Sequence, residues 1–200
     1  MKIAIVNNCV PFIYGGAEFL ADNLRNRIAE HGHQAMIVKV PFAWDPPSKI
    51  LDHMLSCRLL RLDNVDRVIA LKFPAYYIEH PEKVLWLVHQ FRQAYDLWNT
   101  SYRCIPDTSE GLRIRDAIIG SDNRLLGGIK KRYTISKLVS ERLRRFNNLD
   151  SKSLYPPLDD PQKYHCTEYG DYVFYPSRIV GSKRQALAVE SMKHVKSGVK

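Results

Sequence analysis

Apolar positions in this chain fall in short continuous runs, separated by longer stretches of helical spacing. That alternation predicts a sheet of mainly parallel strands with helices between them. The first run, residues 2–6, ends at Asn7 and Asn8. After a turn over 10–16, Ala17, Leu20, Ala21, Leu24 and Ile28 share one helical face, so 17–31 reads as a helix with Gly32 as its C-cap. Residues 35–40 form the second strand. Ile50, Leu51, Met54, Leu55, Leu59 and Leu62 mark a helix over 48–62, and 63–66 turn into a third strand at 67–71. The fourth strand is 83–88. Its VLWLV, like VIAL in the third, is apolar at successive residues, as expected of parallel strands buried on both faces.

Residues 90–107 are irregular and aromatic, and read as a short helix plus a loop. A long helix is expected over 109–129, broken near Gly120 or Gly127. A fifth strand (132–136), a helix (137–146) and a sixth strand (152–155) follow, the last stopped by Pro156-Pro157. The expected organisation is therefore a Rossmann-like doubly wound α/β domain over 1–156 and an interdomain linker over 157–170. Residues 171–200 start a second domain, with a strand at 172–175 and a helix at 183–195. A lone strand–helix pair cannot bury its own apolar face, so this segment either packs on the first domain or is the first βα unit of another.

Composition narrows the class. With 45% apolar and 26% charged residues the chain is an ordinary globular protein. No apolar run approaches the ~20 residues of a membrane span, and the N-terminal run is too short for a signal peptide core. A cytoplasmic protein is expected. Cys9, Cys57, Cys104 and Cys166 make no C-x-x-C pair and have no His at ligand spacing, so buried or half-buried thiols are expected rather than a disulfide framework or a metal site. The net charge is +9, with basic clusters at Lys130-Lys131-Arg132, at Arg142, Arg144 and Arg145, and at Lys183-Arg184. Two readings stand for each cluster: an anionic partner or a solvated basic surface.

Candidate chemistry lies at the carboxyl ends of the strands, where such sheets bind ligands. Tyr14-Gly15-Gly16-Ala17-Glu18 puts two glycines before a helix, where backbone N–H groups and the helix dipole favour an anion. A plain tight turn is the alternative, with Glu18 supporting the helix N-terminus. There is no G-x-G-x-x-G and no acid after the second strand, so this is not a dinucleotide fingerprint. His89, just past the fourth strand, stands where a substrate hydroxyl can reach it; a structural histidine is the other reading. Phe73, Tyr76, Tyr77, Phe91, Tyr95 and Trp98 either stack on a sugar or lipid or anchor their loops. Ser136 is a helix N-cap candidate. Arg178 and Lys183, in the loop after the late strand, suit a phosphate.

Taken in order, these segments resemble one family. MKIAIVNNCVPFIYGGAEFLADNLRNRIAEHGH, VLWLVHQ, KRYTISKLVSERLRRF, LYPPLD and YVFYPSRIVGSKRQALAVESM are similar to the first strand and glycine loop, the histidine strand, the late strand–Ser–helix, the crossover and the opening of the donor domain in retaining, family 4-type GT-B glycosyltransferases. Ser177 stands where that family has Gly, Gly181-Ser182 stands where it has Pro-Glu, and its acidic E-x7-E pair has no counterpart.

The resemblance implies sugar transfer with retention from a nucleotide-diphosphate sugar to a glycan, lipid-linked or other acceptor. No metal or other cofactor is implied. Gly15 and Gly16 would face the donor diphosphate, Arg178 and Lys183 would bind it, and His89 would be the catalytic residue beside the transferred sugar. Tyr14, Glu18 and Ser136 would line the acceptor side. On this reading the chain is an acceptor half truncated soon after the donor half begins, with little or no activity alone. It would make peripheral contact with an anionic membrane at its inner face through the 137–146 helix. The competing readings are a non-catalytic binding module that self-associates through its C-terminal segment and a nucleic-acid binder. No helix-turn-helix, RNA-recognition or zinc signature supports the latter, and nucleic acid is not expected as a partner.

Overall fold

The computed structural model describes residues 1–158 and 160–199, and the chain divides into two units, Met1–Pro157 and Leu158–Lys200. In the first unit the order is β1 (Lys2–Cys9), α1 (Gly16–Glu30), β2 (Gln34–Pro41), α2 (Lys49–Leu59), β3 (Arg67–Lys72), β4 (Lys83–His89), α3 (Ser109–Gly127), β5 (Lys131–Thr134), α4 (Lys137–Asn147) and β6 (Lys152–Ser153). The strands form one parallel sheet in the order β2-β1-β3-β4-β5-β6. This is a Rossmann-like doubly wound α/β fold. The chain lays β2 on one side of β1 and every later strand on the other, so the topological switch point falls between β1 and β3.

Successive residues of the central strands feed opposite faces. Ile5, Leu71 and Trp86 pack against Leu20 and Ala21 of α1. Ala70, Leu85 and Leu87 pack on the other side with Ile50 and Met54 of α2, Ile114 and Ile118 of α3, and Leu143 of α4. β2 is an edge strand, and no residue of it is fully buried.

Helix ends follow from local chemistry. At the end of α1, Gly32 has φ +78, its N–H bonds the Ala29 carbonyl, and the His33 N–H bonds the Ile28 carbonyl. This pair of bonds is a Schellman closure, for which glycine suits the left-handed residue. Thr108 caps α3, its hydroxyl accepting from the Gly111 N–H at 3.2 Å. The break expected near Gly120 does not occur. The helix runs unbroken to Gly127, because Ile114, Ile118 and Leu126 hold one buried stripe on both sides of Gly120.

Gly111 is fixed by a close approach: a Cβ there would lie 1.9 Å from the Pro106 carbonyl oxygen, a backbone atom. Gly111→Ala should therefore force the 105–111 segment to shift and destabilise the unit by about 1–3 kcal/mol. Chemical denaturation checks this; an unchanged midpoint would show that the loop yields freely.

The aromatic loop residues resolve in favour of packing. Phe73, Tyr76, Tyr77, Phe91, Tyr95 and Trp98 are all buried in the α2–α3 core, with Phe73 and Phe91 stacked at 4.9 Å between ring centroids. They are not free to stack on a ligand, because they cover sheet surface between the helices. Cys57 is buried, Cys9 and Cys104 are half-buried, and Cys166 is exposed, against the expectation for that last thiol.

The second unit carries short 3-10 turns and α5 (Gln185–Ser191). Among its described residues none is buried. The strand expected at 172–175 is absent: an extended run needs a partner for its backbone donors and acceptors, and this unit supplies none. The helix expected over 183–195 is confined to α5 and a following 3-10 turn, Met192–His194.

Candidate functional site

The carboxyl ends of β1, β3 and β4 converge at the switch point. Lys72, the last residue of β3, stands across from His89, the last residue of β4, after a shift of register that begins at Ala70. The Lys72 ammonium bonds Glu18 Oε1 at 3.0 Å, with both side chains largely shielded from solvent. The other oxygen of Glu18 accepts from the Gly15 N–H at 2.9 Å, covering the N-cap donor at the start of α1. Asn7 Nδ2 donates to Glu18 Oε1 at 3.4 Å. One carboxylate thus ties the glycine turn, β1 and β3 together. Glu18 supports the helix N-terminus, as its position suggested, and it also holds Lys72.

Asn7 and Asn8 are almost fully buried. Asn8 Nδ2 donates to the Phe73 carbonyl at 2.8 Å. Each amide nitrogen has an acceptor, which fixes the orientation of both groups and leaves Asn7 Oδ1 and Asn8 Oδ1 without a partner among the described residues. The two residues join Cys9, Tyr14, Glu18 and Lys39 in lining a cavity of about 360 Å³ between the end of β1, the start of α1 and β2. That volume is in the range of small-ligand sites. Gly16 faces open space, so a ligand can approach its backbone closely. Tyr14 is half exposed and hydrogen bonded to Asp22.

His89 is half-buried, and its Nδ1 lies 2.6 Å from the Gln90 carbonyl oxygen. A carbonyl only accepts, so Nδ1 carries the proton and the neutral ring keeps its lone pair on Nε2. Burial pushes the imidazole below its ordinary value. The Gln90 bond opposes that, and the charges of Lys72, Arg92 and Arg142 lower it further. Near neutral pH the ring is an uncharged acceptor. Arg92 forks onto Asp96, with contacts of 2.7–3.2 Å, and Arg142 of α4 reaches the same carboxylate at 3.1 Å. Burial alone would raise the Asp96 carboxyl; the hydrogen bonds and charge of Arg92, with the charge of Arg142, outweigh it and hold it below its usual value.

Of the residues singled out in the sequence, Gly15, Gly16, Glu18, Tyr14 and His89 gather at this end of the sheet. Ser136 is the N-cap of α4, its hydroxyl accepting from the Val139 N–H at 3.3 Å. Arg178 and Lys183 belong to the second unit, where the Arg178 carbonyl accepts from Gln185 and the Lys183 carbonyl from Tyr175. Sequence reasoning missed Lys72, Arg92 and Asp96, and named Arg142 only within a basic cluster. Only Lys72 carried a readable signal, a charge at the end of the apolar run VIALK. Among the described residues no His, Cys, Asp and Glu side chains form a metal-ligand group, and no helix is long and apolar enough to cross a membrane.

Fold and site together define a Rossmann-like α/β protein with an ion-paired lysine and a neutral histidine at its switch point and a small cavity beside the end of β1. Neither protein-family models nor curated proteins gave a significant match to the sequence.

Proposed function

We propose that this chain is the acceptor-binding half of a retaining GT-B-type glycosyltransferase that uses a nucleotide-diphosphate sugar. The observation that carries the reading is the group Glu18–Lys72–His89 at the switch point, beside the Gly15-Gly16 turn. Nε2 of His89, uncharged and without a protein partner among the described residues, can accept a hydrogen bond from a sugar hydroxyl. The open backbone at Gly16 and the dipole of α1 suit a diphosphate, while Lys72 is held by Glu18. In this proposal Arg178 and Lys183 hold the donor diphosphate, and α4, with Leu138, Arg144 and Arg145 exposed, makes the peripheral contact with anionic lipid.

Release of nucleoside diphosphate from a panel of nucleotide sugars, with and without sugar acceptors, tests the reading. The assay is run on the chain alone and on the protein with any residues its gene encodes beyond Lys200. Acceptor-dependent release by the longer protein and little by the chain alone is the expected result. Turnover at ordinary enzyme rates by the chain alone would refute the half-enzyme reading, and no release in either form would refute the transferase.

One observation favours a second reading, a non-catalytic module that self-associates: Val173, Phe174, Ile179, Leu187 and Val189 of the second unit are all exposed. A monomer in sedimentation at high concentration would count against it.

A further inference from the structure

A second cavity, larger than the one beside β1, lies at the opposite end of the sheet. It is a groove of about 770 Å³ along the amino ends of β4 and β5, walled by residues of α2 and by the last turn of α3. Lys83 opens β4 and His89 closes it, so the groove and the switch-point cleft are about 20 Å apart along the strand.

Six cations and four carboxylates (Asp63, Asp66, Glu79 and Glu82) line the groove, an excess of two positive charges. Glu79 is shared by two guanidinium groups, Arg58 and Arg61, which leaves one charge over. Lys83 is half-buried, and its ammonium donates to the carbonyls of Tyr76 at 3.1 Å and Ile78 at 2.8 Å, without a carboxylate in ion-pair reach. Burial and the nearby Arg58 pull it down to about 8, against the opposing charge of Glu79. A partly desolvated cation with only neutral partners is costly, and an anion beside it removes the cost. Arg124, Lys130 and Lys131, which also line the groove, are exposed and make no ion pair among the described residues. The volume suits a small ligand rather than a single ion.

We infer that this groove is an anion site for a ligand carrying two or more phosphate charges, held by Lys83, Arg124, Lys130 and Lys131. The inference stands apart from the proposed transferase chemistry, which uses the other end of the sheet. A free polyphosphate and a phosphorylated lipid headgroup share the required chemistry.

Inorganic pyrophosphate titrated into the protein by calorimetry at low ionic strength is the direct probe. Saturable binding near one per chain is expected. It should weaken at least tenfold in Arg124→Ala/Lys130→Ala/Lys131→Ala, whose three positions are exposed and leave the core untouched. A charge-matched control, Lys49→Ala/Arg113→Ala/Lys152→Ala, whose positions are exposed and outside the groove, should keep the affinity of the parent protein. A second arm uses vesicles of phosphatidate in neutral lipid. Binding to pyrophosphate supports a soluble ligand, and binding to the vesicles alone supports a headgroup, provided the groove variant loses it. Absence of binding in both arms, or equal losses in the groove and control variants, overturns the site.

Discussion

Replacing Asp122 by Ala should abolish cooperative folding of the first unit. Asp122 is fully buried on α3, and three phenols converge on its carboxylate: Tyr76 at 2.9 Å, Tyr77 at 2.7 Å and Tyr95 at 2.7 Å. Removing the acceptor strips Tyr76 of its partner, leaves Tyr77 only a long 3.4 Å bond to the Ile118 carbonyl and leaves the Tyr95 hydroxyl only as an acceptor from Asn147, each at a cost of about 1–3 kcal/mol, with a cavity added. The sum is comparable to the whole stability of an ordinary domain, about 5–15 kcal/mol. Loss of the cooperative transition in thermal or denaturant unfolding is the expected observation. A variant that unfolds within 1 kcal/mol or so of the parent would show that the phenols find other partners.

The same group gives a milder, signed test. Burial pushes the Asp122 carboxyl up to about 6 from an ordinary 3.8, and the three tyrosine hydrogen bonds only partly offset it. A carboxyl raised by folding holds its proton more tightly in the native state. Its stabilisation is therefore complete below pH 4 and is lost as pH rises through 6, a change of about 3 kcal/mol. Asp122→Asn keeps the shape and removes the titration. The parent's stability minus the variant's, followed from pH 4 to pH 7, should fall by roughly that amount. A flat difference would mean that Asp122 ionises normally in the folded protein.

Asp122 also shows what the sequence could and could not reveal. Ile114, Ile118, Asp122 and Leu126 recur every four residues on the buried face of α3, so an acid on an apolar stripe was visible. Its partners were not: they lie 46, 45 and 27 residues away, and only the folded sheet brings them together. The strands were legible because buried parallel strands are apolar at every position. Strand order was not, because the alternating pattern is the same whichever side of β1 the next strand joins. The cleft divides in the same way. His89 and the glycine turn declared themselves by standing at the ends of recognisable elements. Lys72 and the Arg92–Asp96–Arg142 group matter through the register of β3 against β4 and the approach of α4. The 172–175 segment failed for the converse reason: its local pattern suits a strand, but its unit offers no neighbour to pair with.

The cations gathered around His89 set the behaviour expected of it. In the acceptor-dependent assay, His89→Ala should lower turnover by roughly 10²–10⁴-fold, the usual contribution of a positioned acid–base group. A purely structural histidine would move stability and leave turnover per folded molecule nearly unchanged, so activity is to be normalised to folded protein. The ring's own titration supplies a readout that needs no substrate. His89 is lowered by burial and by Lys72, Arg92 and Arg142, with the Gln90 bond opposing, so its NMR titration should fall below the ordinary 6.5. Arg142→Gln removes one of those cations while Arg92 still holds Asp96, and the titration should move upward. If His89 acts in its neutral form, the acid limb of the rate profile in the longer protein must move upward with it. A titration that shifts while the rate profile stays in place would separate the histidine from the chemistry and leave it a structural role beneath the cleft.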